Sequence, residues 1–347
     1  MSSFWDKLPR PIFALAPLAN VTDAVFREHV ARYGKPDVFY TEFVSADGLC
    51  SKGREILLRD LRFTENQRPI VAQFFGATPE HFYECAQLAA KLGFDGVDIN
   101  MGCPDGAVLR QGAGAALIKT PKLAREIIAA TKSGAGGLPV SVKTRIGYGK
   151  IEIDTWIPEL LKDGIAALAV HLRTMKEMSK VPAHWEALGK IAEMAKSTGT
   201  LVLGNGDALT IEDGMRRVGE TGSDGIMFGR AIFGNPWLFA RTEAIRSGHM
   251  SVVPRERMPE EKIGAFLELA DLFQSVWGQS KDFNILKKHL KAYVSGFSGA
   301  GELRAKLMDA ENAEKMRELL SASGFSEGNK MSYNEANENS KGQSRVF

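Results

Sequence analysis

Eight short apolar runs, each followed by a helix-like stretch, constrain this chain more than any other feature. They are Ile12–Pro17, Val38–Ser45, Pro69–Gly76, Gly96–Cys103, Pro139–Gly147, Ala167–Thr174, Leu201–Asp207 and Gly225–Gly234. Each is continuously apolar, the pattern of a strand buried on both faces. The stretches between them carry helix signals. Thr78-Pro79 and Thr120-Pro121 put a capping residue before Pro in the first turn. Thr210 and Asp213 have capping-box spacing, and Gly34, Gly93, Gly164 and Gly199 read as helix stops. Eight βα units in about 240 residues predict an α/β fold, a (β/α)8 TIM barrel. An open doubly wound sheet would use fewer strands and a Gly-rich first turn. Here the first run ends in Ala16-Pro17-Leu18.

Beyond Ile245 the pattern changes. Residues 247–259 are polar with Pro254 and Pro259, and read as a linker. Residues 260–325 have no strand signal. Ile263, Phe266, Leu267, Ala270 and Phe273 mark one helical stripe, and Ile285, Leu286, Leu290 and Tyr293 another. This predicts a C-terminal small helical-bundle domain. Residues 326–347 are Asn, Ser, Glu, Lys and Gly with almost nothing apolar, and read as a disordered tail. The barrel itself occupies residues 1–246.

Composition narrows the chemistry. With 44% hydrophobic and 25% charged residues the chain is of the soluble globular type. A net charge of +2 neither demands nor excludes a polyanionic partner. Three cysteines (Cys50, Cys85, Cys103) are too few for a disulfide framework, which points to a reducing compartment. No apolar run reaches the 18 or so residues of a membrane span, and Met1–Pro11 is unlike a signal peptide, so a cytoplasmic protein is expected. The six histidines show no HxxxH and the cysteines no CxxC, so no metal site is expected. Walker A and GxSxG sequences are missing too. Cys50 and Cys85 read as structural. His289 lies in Lys287-Lys288-His289-Leu290-Lys291, which reads as a solvated cationic helix face. A monomer is expected, since no extra apolar helix face is evident, and no protein partner is implied.

A βα barrel carries its active site at the carboxyl ends of its strands. Those ends deliver Pro17-Leu18-Ala19, Gln73, Asn100 and Cys103, Lys143 and Arg145, His171 and Arg173, Asn205-Gly206-Asp207 and Gly229-Arg230. Unpaired burial of such groups is costly, so they are expected to face a ligand. Gly204-Asn205-Gly206-Asp207 and Phe228-Gly229-Arg230 read as a phosphate site after strands seven and eight. Lys143 within a strand sequence suits the negative charge of a reduced flavin, and Gln73 suits the N3/O4 edge of a flavin or uracil. Cys103 is braced by Gly102 and Pro104 just past a strand end, placed by the backbone.

Together, Ala16-Pro17-Leu18-Ala19-Asn20-Val21-Thr22-Asp23, Asp98-Ile99-Asn100-Met101-Gly102-Cys103-Pro104, Gly112-Ala113-Gly114-Ala115-Ala116-Leu117, Val140-Ser141-Val142-Lys143-Thr144-Arg145, Gly204-Asn205-Gly206-Asp207 and Gly229-Arg230-Ala231-Ile232-Phe233-Gly234-Asn235-Pro236-Trp237 resemble the motifs of the tRNA-dihydrouridine synthases. The resemblance is close from Pro11 to Ala240 and looser beyond. It implies an FMN-bearing barrel, with NADPH or NADH as reductant, that reduces the C5=C6 bond of particular uridines in tRNA. Cys103 would give the proton to C5 while hydride passes from FMN N5 to C6. It implies FMN contacts from Pro17, Leu18, Ala19, Gln73, Lys143, His171, Asn205, Gly206, Asp207, Gly229 and Arg230. Asn100 and Arg145 would lie by the uridine, and residues 260–325 would bind tRNA. Two departures stand out: Leu172 where the family has Gly, and an apolar Lys176–Trp185 segment. The competing function is an FMN barrel acting on a small molecule, in the manner of a dihydropyrimidine or dihydroorotate dehydrogenase. A flavin-free RNA-binding module using Lys287, Lys288, Lys291, Arg304 and Lys306 is a third.

Overall fold

The computed structural model describes residues 3–248, 256–278 and 280–325; most of the expected linker and the whole expected tail lie outside them. Nine parallel strands form: β1 (Ile12–Leu15), β2 (Phe39–Tyr40), β3 (Val44–Ser45), β4 (Ile70–Phe75), β5 (Gly96–Met101), β6 (Val140–Arg145), β7 (Ala167–His171), β8 (Leu201–Asn205) and β9 (Gly225–Phe228). They pair in the order β1-β9-β8-β7-β6-β5-β4-β2, with β3 on the upper end of β4. Ala14 pairs with Val38, and Leu15 N donates to Val38 O at 3.1 Å, so the ring closes as an eight-stave barrel. The shell carries α1 (Ala24–Tyr33), α2 (Pro79–Leu92), α3 (Pro121–Gly134), α4 (Ile153–Leu161), α5 (Glu186–Ala195) and α6 (Ile211–Thr221).

Three expectations on local structure are corrected. The run Val38–Ser45 is two strands, because Thr41 Oγ1 replaces a ladder carbonyl by accepting from Gln73 N at 3.0 Å. The run Gly225–Gly234 ends at Phe228, since Gly229 leaves the β region and Arg230–Ile232 turns into a 3-10 helix. Helices do begin at Pro79 and Pro121, but the Thr78 and Thr120 hydroxyls make no cap bond; the Pro alone marks the start. Thr210 does cap, accepting from Asp213 N at 3.1 Å.

Two separate apolar clusters result. One lies between staves and helices. The other fills the lumen with Ile12, Ala14, Val38, Tyr40, Val71, Ala167, Ala169, Leu203 and Met227, closed by Trp5. Lumen-facing residues are every second one, so each stave can be apolar low in the lumen and polar at its carboxyl end.

The helical segment comprises α7 (Pro259–Trp277), a 3-10 turn Phe283–His289, a short helix Leu290–Tyr293, α8 (Ala300–Leu307) and α9 (Ala313–Ala322). Its stripe Ile263, Phe266, Ala270 and Phe273 is buried in the same apolar cluster as the barrel shell. Contrary to expectation, His289 is buried rather than solvated, with its ring stacked 5.2 Å from Phe26 and 5.4 Å from Phe233. Polar contacts fix the docking. Trp277 Nε1 donates to Asp23 Oδ2 at 2.8 Å and Tyr33 Oη to Glu268 Oε2 at 2.6 Å. Lys281 Nζ lies 3.1 Å from Asp60, 3.5 Å from Asp23 and 4.0 Å from Glu42. Among the described residues no helix is long and apolar enough to cross a membrane.

Three carboxylates around one ammonium leave Glu42 short of a partner. Burial, and then Asp23, push its carboxyl up to about 7 from an ordinary value of 4.5. Between those values the folded chain holds a proton that the unfolded chain has lost, so stability falls as pH rises through that window. Glu42→Gln is expected to lessen the loss of stability between pH 5 and 7.5 by roughly 1–3 kcal/mol, measured by urea unfolding across that range.

Candidate active site

The carboxyl end of the lumen is polar because the inward positions change character there. Gln73, Asp98 and Ser141 stand in adjacent register on β4, β5 and β6, and Asn100 pairs in register with Lys143 one layer higher. Asp98 is fully buried. It accepts from Ser141 Oγ at 2.5 Å and from Gln73 Nε2 at 2.6 Å. Gln73 Oε1 in turn accepts from Asn100 Nδ2 at 3.0 Å. Asn100 Oδ1 then accepts from the backbone N–H of Gly102 at 3.1 Å and of Cys103 at 2.9 Å. A run of hydrogen bonds thus leads from the buried Asp98 in the lumen to the cysteine. Burial pushes the Asp98 carboxyl up to about 6, opposed by its hydrogen bonds from Ser141 and Gln73.

The Cys103 loop is held from the other side as well. Cys103 O accepts from Ala115 N at 3.0 Å, and Asp105 caps the short helix Gly106–Arg110 through Ala107 N at 2.8 Å. Gly114 has φ +60°, and a side chain there would meet Cys103 O at 2.8 Å, so only Gly fits. The thiol is half-buried, and burial raises its pKa. It is therefore protonated at neutral pH, the state a proton donor needs.

Lys143 and His171 stand on the next two strands, β6 and β7. Lys143 Nζ reaches Asn205 Oδ1 at 3.4 Å, and burial followed by the charge of Arg145 pushes its pKa down to about 8. Asn205 Nδ2 is fixed on Met227 O at 2.7 Å. His171 Nε2 faces Arg173 Nη1 at 3.1 Å; Arg can only donate, so Nε2 accepts and the proton sits on Nδ1. Burial and the cations Arg145 and Lys143 push His171 far below its ordinary value, so it is neutral.

At the end of β8, Asp207 holds a left-handed φ of 54°. Its carboxylate lies between two guanidiniums, Arg173 Nη2 and Arg230 Nη2, the latter at 2.9 Å. Burial pushes that carboxyl up, but the Arg173 hydrogen bond and both charges bring it below its ordinary value. Gly206 has φ +134°, and a Cβ there would meet Ala183 at 2.9 Å, so this turn requires Gly. Pro17 is buried, Leu18 half-buried and Ala19 exposed on the loop after β1, where Leu18 N donates to Thr22 Oγ1 at 2.9 Å. Gly229 is half-buried and Arg230 exposed on the loop after β9.

The strand ends thus bring together all the residues expected there, but three are engaged differently from expectation. Gln73 has no exposed surface, and its amide is taken by Asp98 and Asn100. Asp207 orients two arginines through its carboxylate. Arg145 is buried and donates to Gly102 O at 2.7 Å, Thr174 O at 3.1 Å and Met178 O at 3.3 Å. Sequence reasoning missed Asp98 and Ser141 as site residues and left Arg173 without a role. The alternation of lumen positions carried the signal: Asp98 lies two before Asn100, and Ser141 two before Lys143. The two departures also find a place. Leu172 is fully buried in the shell, and the segment after it braces the cradle, Val181 O accepting from Arg173 Nε at 2.6 Å and Ala183 N donating to Asp207 at 2.9 Å. Among the described residues no cluster of His, Cys, Asp and Glu could hold a metal.

Four cations (Lys143, Arg145, Arg173, Arg230) and one carboxylate (Asp207) therefore gather at the carboxyl end of the lumen, above the fully buried Asp98. Fold and site together define a (β/α)8-barrel enzyme with a thiol beside a cationic cradle at its carboxyl end. The family model for dihydrouridine synthase (Dus) matches residues 14–327. A probable tRNA-dihydrouridine synthase of Staphylococcus aureus (strain COL) is 42% identical over 327 residues, 92% of this chain and 94% of that one. A probable tRNA-dihydrouridine synthase 2 of Bacillus subtilis (strain 168) is 41% identical over 325 residues, 92% and 95% of the two chains. Among solved structures, a variant of NCR from Zymomonas mobilis gives a TM-score of 0.49 at 18% identity, covering 71% of this chain and 92% of that one. The chain belongs to the dihydrouridine synthase family.

The charge surplus has a thermodynamic signature. Lys143 titrates lower when folded than when unfolded, so its charge opposes folding at pH 7, and that cost is relieved as pH rises from about 8 towards 10.5. Lys143→Met is expected to stabilise the ligand-free protein at pH 7 by about 1–2 kcal/mol, with the gain shrinking above pH 9, read from thermal melts at both pH values.

Proposed function

We propose that this chain reduces the C5=C6 bond of uridines in tRNA to 5,6-dihydrouridine, using FMN and a nicotinamide reductant, NADPH or NADH. The observation that carries the reading is Cys103, a protonated thiol fixed by Asn100 at the mouth of a cationic barrel in a chain of this family. The residues present fit an FMN. Its phosphate meets its chemical match in Arg230, Gly206 and Gly229, with Arg173 behind them, held by Asp207. Lys143 and the donor Nδ1–H of His171 suit the electron-rich edge of the ring, and Pro17, Leu18 and Ala19 offer the loop against which it would lie. When bound, FMN supplies hydride to C6 of the uracil.

The chain's own residues do the rest. Cys103 Sγ–H delivers the proton to C5. Asn100 holds the Cys103 backbone N–H and so sets where the sulfur stands. Arg145 holds the same loop through Gly102 O. Gln73 and Asp98 keep the Asn100 amide in one orientation. A uracil inside a folded RNA must leave its stack to reach this mouth, and residues 260–325 would carry the RNA body beside it. Single-chain action is part of the reading.

The test is mass analysis of nucleosides from unmodified tRNA incubated with the protein, FMN and NADPH. A gain of two hydrogens on uridine is expected. Cys103→Ala is expected to keep its flavin spectrum and lose at least about 100-fold in rate, the scale of a lost general acid. Full activity in that variant would remove Cys103 from the role.

A further inference from the structure

Opposite the helical segment, the mouth is walled by the loops after β6 and β7. These two loops are zipped together: Met175 N donates to Gly147 O at 3.0 Å and Lys176 N to Tyr148 O at 3.0 Å. Their carboxylates turn onto the loops' own amides, Glu152 accepting from Tyr148 N at 2.9 Å and Glu177 from Thr174 N at 2.7 Å. The outward face is Lys150, Ile151, Lys176, Met178 and Lys180, all exposed. Lys150, Lys176 and Lys180 have no carboxylate partner among the described residues. Lys119 Nζ sits 3.6 Å over the Tyr148 ring and extends the same face. The result is a preformed ledge, cationic with apolar side chains between the charges.

Its position gives it meaning. The helical segment leans on elements following the first, second and eighth staves, through Asp23, Glu42, Asp60 and Phe233. The ledge follows the fifth and sixth, across the ring. Arg145 joins it to the cysteine: one guanidinium holds Thr174 O and Met178 O on the ledge and Gly102 O in the Cys103 loop. We infer that this ledge is a second docking surface for the RNA backbone, gripping the strand on the far side of the target nucleotide. The inference rests on the tRNA reading above. A nucleotide drawn out of its stack leaves chain on both sides. One docking surface leaves the RNA free to pivot about it, whereas two opposed ones fix the base over the thiol. Lysines neutralise phosphates without reading sequence. Ile151 and Met178 offer an apolar seat to a neighbouring unstacked base.

The experiment uses the full chain loaded with flavin, and unmodified tRNA as probe. Two variants are compared with the parent, Lys150→Gln/Lys176→Gln/Lys180→Gln and the charge reversal Lys176→Glu. Affinity is followed from 50 to 200 mM salt. The triple variant is expected to bind at least about tenfold more weakly, and its slope of log affinity against log salt to fall by about 2. The single reversal is expected to raise KM for tRNA with kcat at saturating tRNA within about twofold. Every substituted side chain is exposed, and an unchanged melting temperature checks the fold. Parental affinity and salt slope in both variants would overturn the inference while leaving the tRNA reading intact. Failure of the parent itself to bind or reduce tRNA would overturn both.

Discussion

One buried carboxylate directs the orientation of the whole site. Asp98 is acceptor-only when ionised, so Gln73 must present its NH2 to it and its carbonyl to Asn100. Asn100 must then present NH2 to Gln73 and its oxygen to the Cys103 amide. Each amide has two possible faces, and this chain of donors leaves one of them. Protonation of Asp98 would add a donor where the sequence of bonds needs an acceptor. Its raised pKa of about 6 marks how near the arrangement sits to that limit.

The cations above Asp98 work against folding. Lys143, Arg145 and Arg173 are packed with few carboxylates, and the lowered pKa values of Lys143 and Arg145 record the cost, burial first. An anionic ligand such as the proposed FMN would relieve that cost on arrival. Asp207 shows the complementary device. By bridging Arg173 and Arg230 its carboxylate holds two guanidinium forks in place.

Most of the architecture could be read from the chain because it depends on local pattern. Eight apolar runs and their Gly and Pro punctuation gave the barrel, and the helical periodicity after residue 259 gave the segment that leans on it. What could not be read depends on contacts between distant residues. The break after Tyr40 arises from Thr41 meeting Gln73, which no local pattern announces. His289 sits in a run of lysines, yet Phe26 and Phe233 from the barrel enclose it. At the candidate site, the grouping of these residues at one end was legible because successive strand ends of a barrel lie side by side. Their engagements were not. Gln73 was read by its chemistry alone, and the buried Asp98 that its amide donates to lies 25 positions away.

The lumen has a floor. Trp5 is 1% exposed and packs against Ile12, Tyr40 and Val71, in a turn capped by Ser3 and Asp6, so the barrel is sealed at its amino end. A vessel closed below has a single doorway. For the proposed reaction, the nicotinamide that gives electrons and the RNA that takes them must both come to that doorway, and the second is far too large to share it. They would have to take turns, with the electrons waiting inside between visits. A lumen packed shut down to that indole would thereby set the order of events: the kinetics of such a barrel would be of the double-displacement kind, and each reactant at high concentration would slow the other by standing in its way.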